Sequence, residues 1–401
     1  MLFKDFIIYG YIGLIILMMY FISKRGKLYV FSPIVVVYLK FLMADVLPYL
    51  ITPKNIIPQN ITYVLVSASI INIIFILIFR KDLFSAVTID DINCVPRIIE
   101  NRHRMIVIFA ILLLVAGIST GMISMMMSGA DVENYRMTSD IGMGFIRVIP
   151  ALGIPILLLM DFFTANSYSK TKIVLITISC ALLIFITTAA RNSILAYIGV
   201  IFIWFCLRKR PFKWWEYIGI YYVAQPVVGT FLQLLRGGRL GRGIELFDNF
   251  LNYQLMVFNA NTIKLMSNVN EHNLLNGESY FYSLVKIIPR FLWEDKPVAI
   301  DYTYKKLVGY DFDGGGIFTT ITNEMYMNFG NYYVIFYSLF LFLVHLLYRQ
   351  LIKLDVSTYT KTIISVFLLL YIHPRTIIES TEVLILFLFI CYCFNQKWKV
   401  F

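Results

Sequence analysis

The sequence predicts an all-α polytopic membrane protein: about 11 transmembrane helices and one long extracytoplasmic loop carrying amphipathic helices. Three observations predict it. Apolar runs near bilayer length recur along the chain, basic residues collect at alternate ends of those runs, and one stretch alone, 236–330, is long and polar enough to fold outside lipid. No internal repeat, low-complexity tract or linker marks a second soluble domain. Residues 1–401 are therefore read as a single polytopic membrane domain, with 236–330 as a loop within it.

Composition excludes an ordinary soluble domain, because 59% of residues are hydrophobic and only 15% are charged. The net charge of +11 would suit nucleic acid, but basic residues flanking apolar spans serve orientation instead. The bilayer is the expected partner, and nucleic acid is not. Cys180, Cys206, Cys391 and Cys393 fall inside apolar runs and Cys94 in a loop assigned to the cytoplasm, so all five read as unbridged.

A helix crossing about 30 Å of hydrocarbon needs roughly 20 residues. Runs near that length lie at 6–23, 29–50, 61–79, 105–127, 145–165, 172–189, 193–207, 214–235 and 331–348, and shorter ones at 362–373 and 376–394. The first is followed by "KRGK" with no small-residue cleavage site, and is expected to be a retained span. Placing "KRGK" inside makes the chain alternate, with 19 basic residues on the cytoplasmic side against six in the short outer segments. Segment 236–330 then lies outside, its nine basic and ten acidic residues nearly cancelling. There "IELFDNFLNYQLMVF" carries Phe247, Phe250, Leu251, Leu255 and Phe258 at the spacing of a helix with one oily face, suited to lying along the membrane surface.

Arginines on the outer side oppose the positive-inside bias, so each needs a reason. They are Arg136, Arg147, Arg191, Arg236, Arg239, Arg242, Arg290 and Arg375. In "TTAARNSIL" the sixth and seventh runs have almost no connecting loop, which leaves Arg191 at the membrane rim. An unpaired arginine deeper in the bilayer would cost about 2.5–3.5 kcal/mol, so an anionic partner is expected. "LLRGGRLGRG" at 234–243 sets three arginines among four glycines: glycine admits a ligand close to the backbone, and guanidinium forks match phosphate oxygens. Two readings stand, an anion clamp or simple anchors to lipid phosphates.

In "IIPRFLWEDKP" at 287–297, Ile287, Ile288, Phe291, Leu292 and Trp293 suit the interface, and Pro289 and Pro297 restrict the backbone around Arg290 and Lys296. Glu294 and Asp295 would neutralise those cations in a self-contained turn; otherwise the cations face a pyrophosphate.

The Arg191 turn, "GESYFYSLVKIIPRFLWEDKP" (277–297) and "FTTITNEMYMNFGNYYVIFYSLF" (318–340), leading into a span, together resemble the oligosaccharide repeat-unit polymerases, the Wzy-type O-antigen and capsule polymerases. The likeness covers the topology of most of the chain, and its motifs lie mainly within 191–340. It implies a membrane glycosyltransferase, related in architecture to the lipid-carrier-dependent GT-C enzymes and to O-antigen ligases, at the outer face of a bacterial inner membrane. Polyprenyl-pyrophosphate-linked oligosaccharides would be donor and acceptor, with a flippase and a chain-length regulator as partners. The family's pattern would fall on Arg191, the arginines of "RGGRLGR", Pro289, Arg290, Lys296, Pro297, Glu324, Asn328, Phe329 and Gly330. "GYDFDGGGIFTT" departs from it.

Displacing polyprenyl pyrophosphate from an anomeric carbon places negative charge on the departing oxygens. Preorganised guanidinium groups would stabilise that charge without a metal, so no metal and no other cofactor is expected. Arg191 and Arg290 are the catalytic cations on this reading, and Arg136, Arg236, Arg239, Arg242, Lys296, Trp293, Asn328 and Arg375 would bind pyrophosphate or glycan. The acceptor hydroxyl needs a base. Glu324, just before the ninth run, is the first candidate and His272 in "NEHNLL" the second; the alternatives are a structural ion pair for Glu324 and no role for His272. "DFD" at 311–313 is spaced like a metal-binding pair, but sugar nucleotides are absent outside the membrane, and "FDGGGIF" reads better as a gate. Glu379 and Glu382 pair with Arg375 or act in the span. A ligase would share the arginine logic; a transporter would instead show repeats and gates on both faces.

Overall fold

The computed structural model describes residues 2–25, 33–83, 102–119, 170–188, 262–285, 300–309 and 319–353, together with residues 121, 123, 124, 154, 157, 158, 293 and 295. Every regular element among them is helical. They are α1 (Leu2–Arg25), α2 (Pro33–Phe41), α3 (Leu47–Ile51), α4 (Gln59–Ile78), α5 (Arg80–Leu83), α6 (Arg102–Ser119), α7 (Lys170–Thr188), α8 (Glu278–Val285), α9 (Ile300–Val308), α10 (Ile321–Phe329) and α11 (Tyr333–Lys353). A further helical stretch covers 262–268. Three helical segments are long and apolar enough to cross a membrane: Lys4–Phe21 in α1, Gln59–Ile78 in α4, and Ile321–Leu346 running through α10 and α11.

The composition of α4, "QNITYVLVSASIINIIFILI", is rich in β-branched residues that favour strands in water. In lipid the backbone must satisfy its own hydrogen bonds, and a single segment does so only as a helix. Pro58 ends the preceding loop and starts α4, and Arg80 follows its C-terminus, where a cation complements the carbonyl end of the dipole.

α1 packs along α4, and α11 lies against α4 and α2. Between lipid-soluble helices polar contacts add to packing, and here they form rungs. Tyr11 Oη donates to Tyr38 O at 2.8 Å, and Tyr38 Oη meets His345 Nε2 at 2.8 Å. Tyr337 Oη donates to Asn72 Oδ1 at 3.0 Å, and Tyr333 Oη to Val64 O at 2.9 Å. The opposite faces stay apolar and open: Phe6, Ile78, Ile118 and Ile335 are each at least 64% exposed within the chain. Bare apolar stripes of this kind suit a lipid surround rather than water.

The second apolar run is not one regular helix. Pro48 has no N–H for the carbonyl four residues back, and between α2 and α3 the helix widens to a π turn at Leu42–Val46, with Leu47 N–H bonded to Leu42 O. The turn carries Asp45.

α10 and α11 are divided at Gly330, with φ 53° and ψ −133°. A side chain is strained there, and a Cβ would meet Leu274 Cδ1 at 3.2 Å. Gly330→Ala is expected to lower stability by about 1–3 kcal/mol, read as the unfolding midpoint of the detergent-purified protein.

The expected runs at 6–23, 61–79, 172–189 and 331–348 correspond to α1, α4, α7 and α11, and 105–127 to the shorter α6. The runs at 193–207, 214–235, 362–373 and 376–394, the surface helix over 244–258 and nearly all of 145–165 lie outside the described residues.

Candidate functional site

α10 stands at the head of α11, packed against both α11 and α4. Its sequence "ITNEMYMNF" is polar for a buried helix, yet Thr322, Asn323, Glu324, Met325, Met327 and Asn328 are all buried. Burial on every side requires partners for each polar group. For Asn328 they come from Gly277 and Ser279, and for Thr322 from Asp45 in the π turn.

Glu324 is 0% exposed. Its backbone N–H bonds to Thr320 O at 2.8 Å, closing the first turn of α10. Tyr280 on α8 and Tyr304 on α9 lie within reach of its charge: burial pushes both phenols well above their ordinary pKa, and the Glu324 charge adds to the rise. Both therefore remain neutral hydroxyls. Among the described residues neither hydroxyl has a hydrogen-bond partner. A buried acid whose charge is felt by two phenols with donor capacity to spare leaves hydroxyl donors for a polar group.

Asn328, one helical turn further on, ties 274–279 to α10. Its Oδ1 accepts from Gly277 N–H at 3.0 Å, and its Nδ2 donates to Ser279 Oγ and to Glu324 O, both at 2.8 Å. Leu275 N–H to Met327 O at 2.9 Å and Asn276 N–H to Asn328 O at 3.1 Å add backbone bonds. Gly277, with φ 89°, makes the turn, and Tyr280 then stacks on Phe329 at 5.6 Å. Asn328→Leu would strand buried partners at about 1–3 kcal/mol each, so a marked fall in thermal midpoint is expected. Asn328→Asp would keep the Gly277 bond but lose both donors and set a buried carboxyl oxygen against the Glu324 carbonyl, so its midpoint should fall as well.

On the other side of α10, Asp45 Oδ1 accepts from Thr320 Oγ1 at 2.5 Å and from Thr322 Oγ1 at 2.9 Å. Asn323 Nδ2 donates to Thr320 Oγ1 at 2.8 Å. Two cavities flank this carboxyl. One, of about 30 Å³, includes Lys40, Thr322 and Tyr337 in its lining; the other, of about 20 Å³, includes Tyr49, Thr262 and Asn323. Each is large enough to admit a water molecule.

No family model, no curated protein and no solved structure matches the chain. The assignment of roles therefore rests on the residues themselves.

Of the sequence-predicted site residues, Glu324 and Asn328 meet in α10. His272 sits in an exposed turn, its backbone N–H bonded to Asn270 Oδ1 at 2.9 Å. Trp293 is half-buried and packs edge-on against Phe281 at 6.5 Å between ring centres. Arg136, Arg191, Arg236, Arg239, Arg242, Arg290, Lys296 and Arg375 lie outside the described residues, as do Asp311 and Asp313. Among the described residues no cluster of three His, Cys, Asp or Glu side chains could hold a metal.

Sequence reasoning missed Asp45, Lys40, Tyr280 and Tyr304. Two of them carried a signal, since an acid and a lysine inside an apolar run are functional candidates by default. Nothing local distinguishes the two tyrosines from others in this tyrosine-rich chain.

Proposed function

We propose that the chain is a membrane glycosyltransferase that joins polyprenyl-pyrophosphate-linked oligosaccharide repeat units into O-antigen or capsular polysaccharide, at the outer face of a bacterial inner membrane. The observation that carries this reading is Glu324: a carboxyl wholly withdrawn from solvent, at the head of a helical segment long and apolar enough to cross a membrane, whose charge is felt by two phenols that have no hydrogen-bond partner among the described residues. Chemistry on a glycan at a membrane rim needs a placed base and hydroxyl-binding groups, and these residue types supply both.

About eleven spans, with 236–330 outside, put the acid and the arginine-rich segments on one face. In the step itself, the acceptor sugar hydroxyl attacks the anomeric carbon of the growing chain and gives its proton to Glu324. The bond from that carbon to the pyrophosphate oxygen breaks, and polyprenyl pyrophosphate departs with the electron pair. Arg191 and Arg290 meet the charge on the departing oxygens, with Arg136, Arg236, Arg239, Arg242, Lys296 and Arg375 holding the headgroup and Trp293 the sugar. His272 is the second candidate base.

The test is the full-length protein in lipid nanodiscs given purified lipid-linked repeat units. A ladder of products differing by one unit supports the polymerase. A single transfer onto a different acceptor indicates a ligase, and movement of the substrate across the bilayer without bond formation indicates a transporter.

A further inference from the structure

Asp45 is a carboxyl in the described part of the chain that the mechanism above leaves without work. It lies in a predominantly apolar run, where a carboxyl is costly unless its bonds compensate it. It also sits in a π turn, an irregularity that helices retain mostly where the altered register serves a purpose. That purpose is visible in what the carboxyl touches. Its two hydroxyl partners, Thr320 and Thr322, are the residue before α10 and the second residue within it. A carboxylate at a helix N-terminus answers the positive end of the peptide dipoles, and two hydroxyl donors fix it there.

The Thr320 side chain makes no capping bond to a backbone N–H of the helix it precedes. It spends its hydroxyl hydrogen on Asp45 and accepts from Asn323 Nδ2, so the first turn of α10 is held by a residue of another helical segment. Glu324 is the next residue after Asn323, and its N–H bonds back to Thr320 O at 2.8 Å. A shift of Thr320 is thus a shift of Glu324. On its far side α10 is held through Asn328 by 274–279. The two clamps act at opposite ends of one short helix.

From this geometry we propose that Asp45 is a positioning residue: it pins the first turn of α10 and thereby sets where the Glu324 carboxyl stands. The role is that of an acceptor for two hydroxyls rather than a reacting group. The functional part of the proposal rests on Glu324 being the acid of the glycosyl transfer; the anchoring part does not.

Three variants of the full-length protein separate these parts. Asp45→Leu removes the acceptor, Asp45→Asn keeps an acceptor oxygen without the charge, and Thr322→Val removes one donor. In the nanodisc assay Asp45→Leu is expected to lower kcat by on the order of a hundredfold, the scale of a misplaced group, with KM within about twofold. Asp45→Asn should remain within about threefold of the unaltered protein, since its oxygen still receives both hydroxyls. The unfolding midpoints of Asp45→Leu and Thr322→Val should combine non-additively, as for groups in one network. Equal inactivity of Asp45→Asn and Asp45→Leu would overturn the proposal, because the charge itself would then be the agent. Additive midpoints with kcat intact would overturn it as well. Should Asp45→Leu fail to fold, Thr320→Val with Thr322→Val strips the same bonds from the α10 side. If the unaltered protein joins no repeat units, the glycosyl-transfer reading fails, and the midpoints alone still decide the anchor.

Discussion

Glu324→Gln is expected to arrest chain extension while the protein stays folded in the membrane. The side chain is 0% exposed, so an amide of the same shape fills the same space and only the charge and the basicity go. General-base assistance is worth about 10²–10⁴-fold, and the rate of ladder growth should fall by that range. Single repeat units should then persist on carrier or acceptor. The competing role for this residue, a structural ion pair with a nearby Arg or Lys, predicts the reverse pattern. Gln would leave the cation unpaired, the unfolding midpoint would drop, and whatever protein remained folded would still extend chains. Measuring rate and midpoint on one preparation decides between the two.

Arg191→Ala and Arg290→Ala are expected to be as damaging, by a different route. A single lost donor to a developing oxyanion typically costs about 10²–10³-fold in turnover. Lysine at either position should recover only part of the activity, because a compact ammonium does not reproduce the two-point contact of a guanidinium with phosphate oxygens. With guanidinium groups carrying the leaving-group charge, a chelator should leave the rate of the unaltered protein unchanged. Normal polymer lengths in both alanine variants, at normal protein levels, would remove these arginines from the mechanism. Loss of polymer on adding chelator would assign the leaving-group charge to a metal instead.

Where lipid dictates conformation, the sequence was easy to read. α1, α4, α7 and α11 follow from apolar runs of bilayer length, because a backbone without water has no alternative to the helix, even in the β-branched α4. The interruption of the second run was harder. Length and hydropathy do not register that Pro48 withdraws an N–H, so neither the π turn nor the direction of Asp45 could be read from them. Glu324 was legible as an acid at the edge of a span. What feels its charge was not: Tyr280 and Tyr304 come from α8 and α9, well away in sequence. Asn328 shows the same limit. Its place in "TNEMYMNFG" marks it for attention, but its bonds run to Gly277 and Ser279, about fifty positions upstream, and no local pattern reports them.

The stoichiometry of carrier release tests the central claim most directly. With the growing chain labelled in its sugar and in its carrier lipid, the mechanism predicts one polyprenyl pyrophosphate freed from the growing chain for each new glycosidic bond, none freed from the incoming unit, and no release when Glu324 is glutamine. Bond formation with the chain's own carrier retained, or release that proceeds equally with Glu324→Gln, would contradict it.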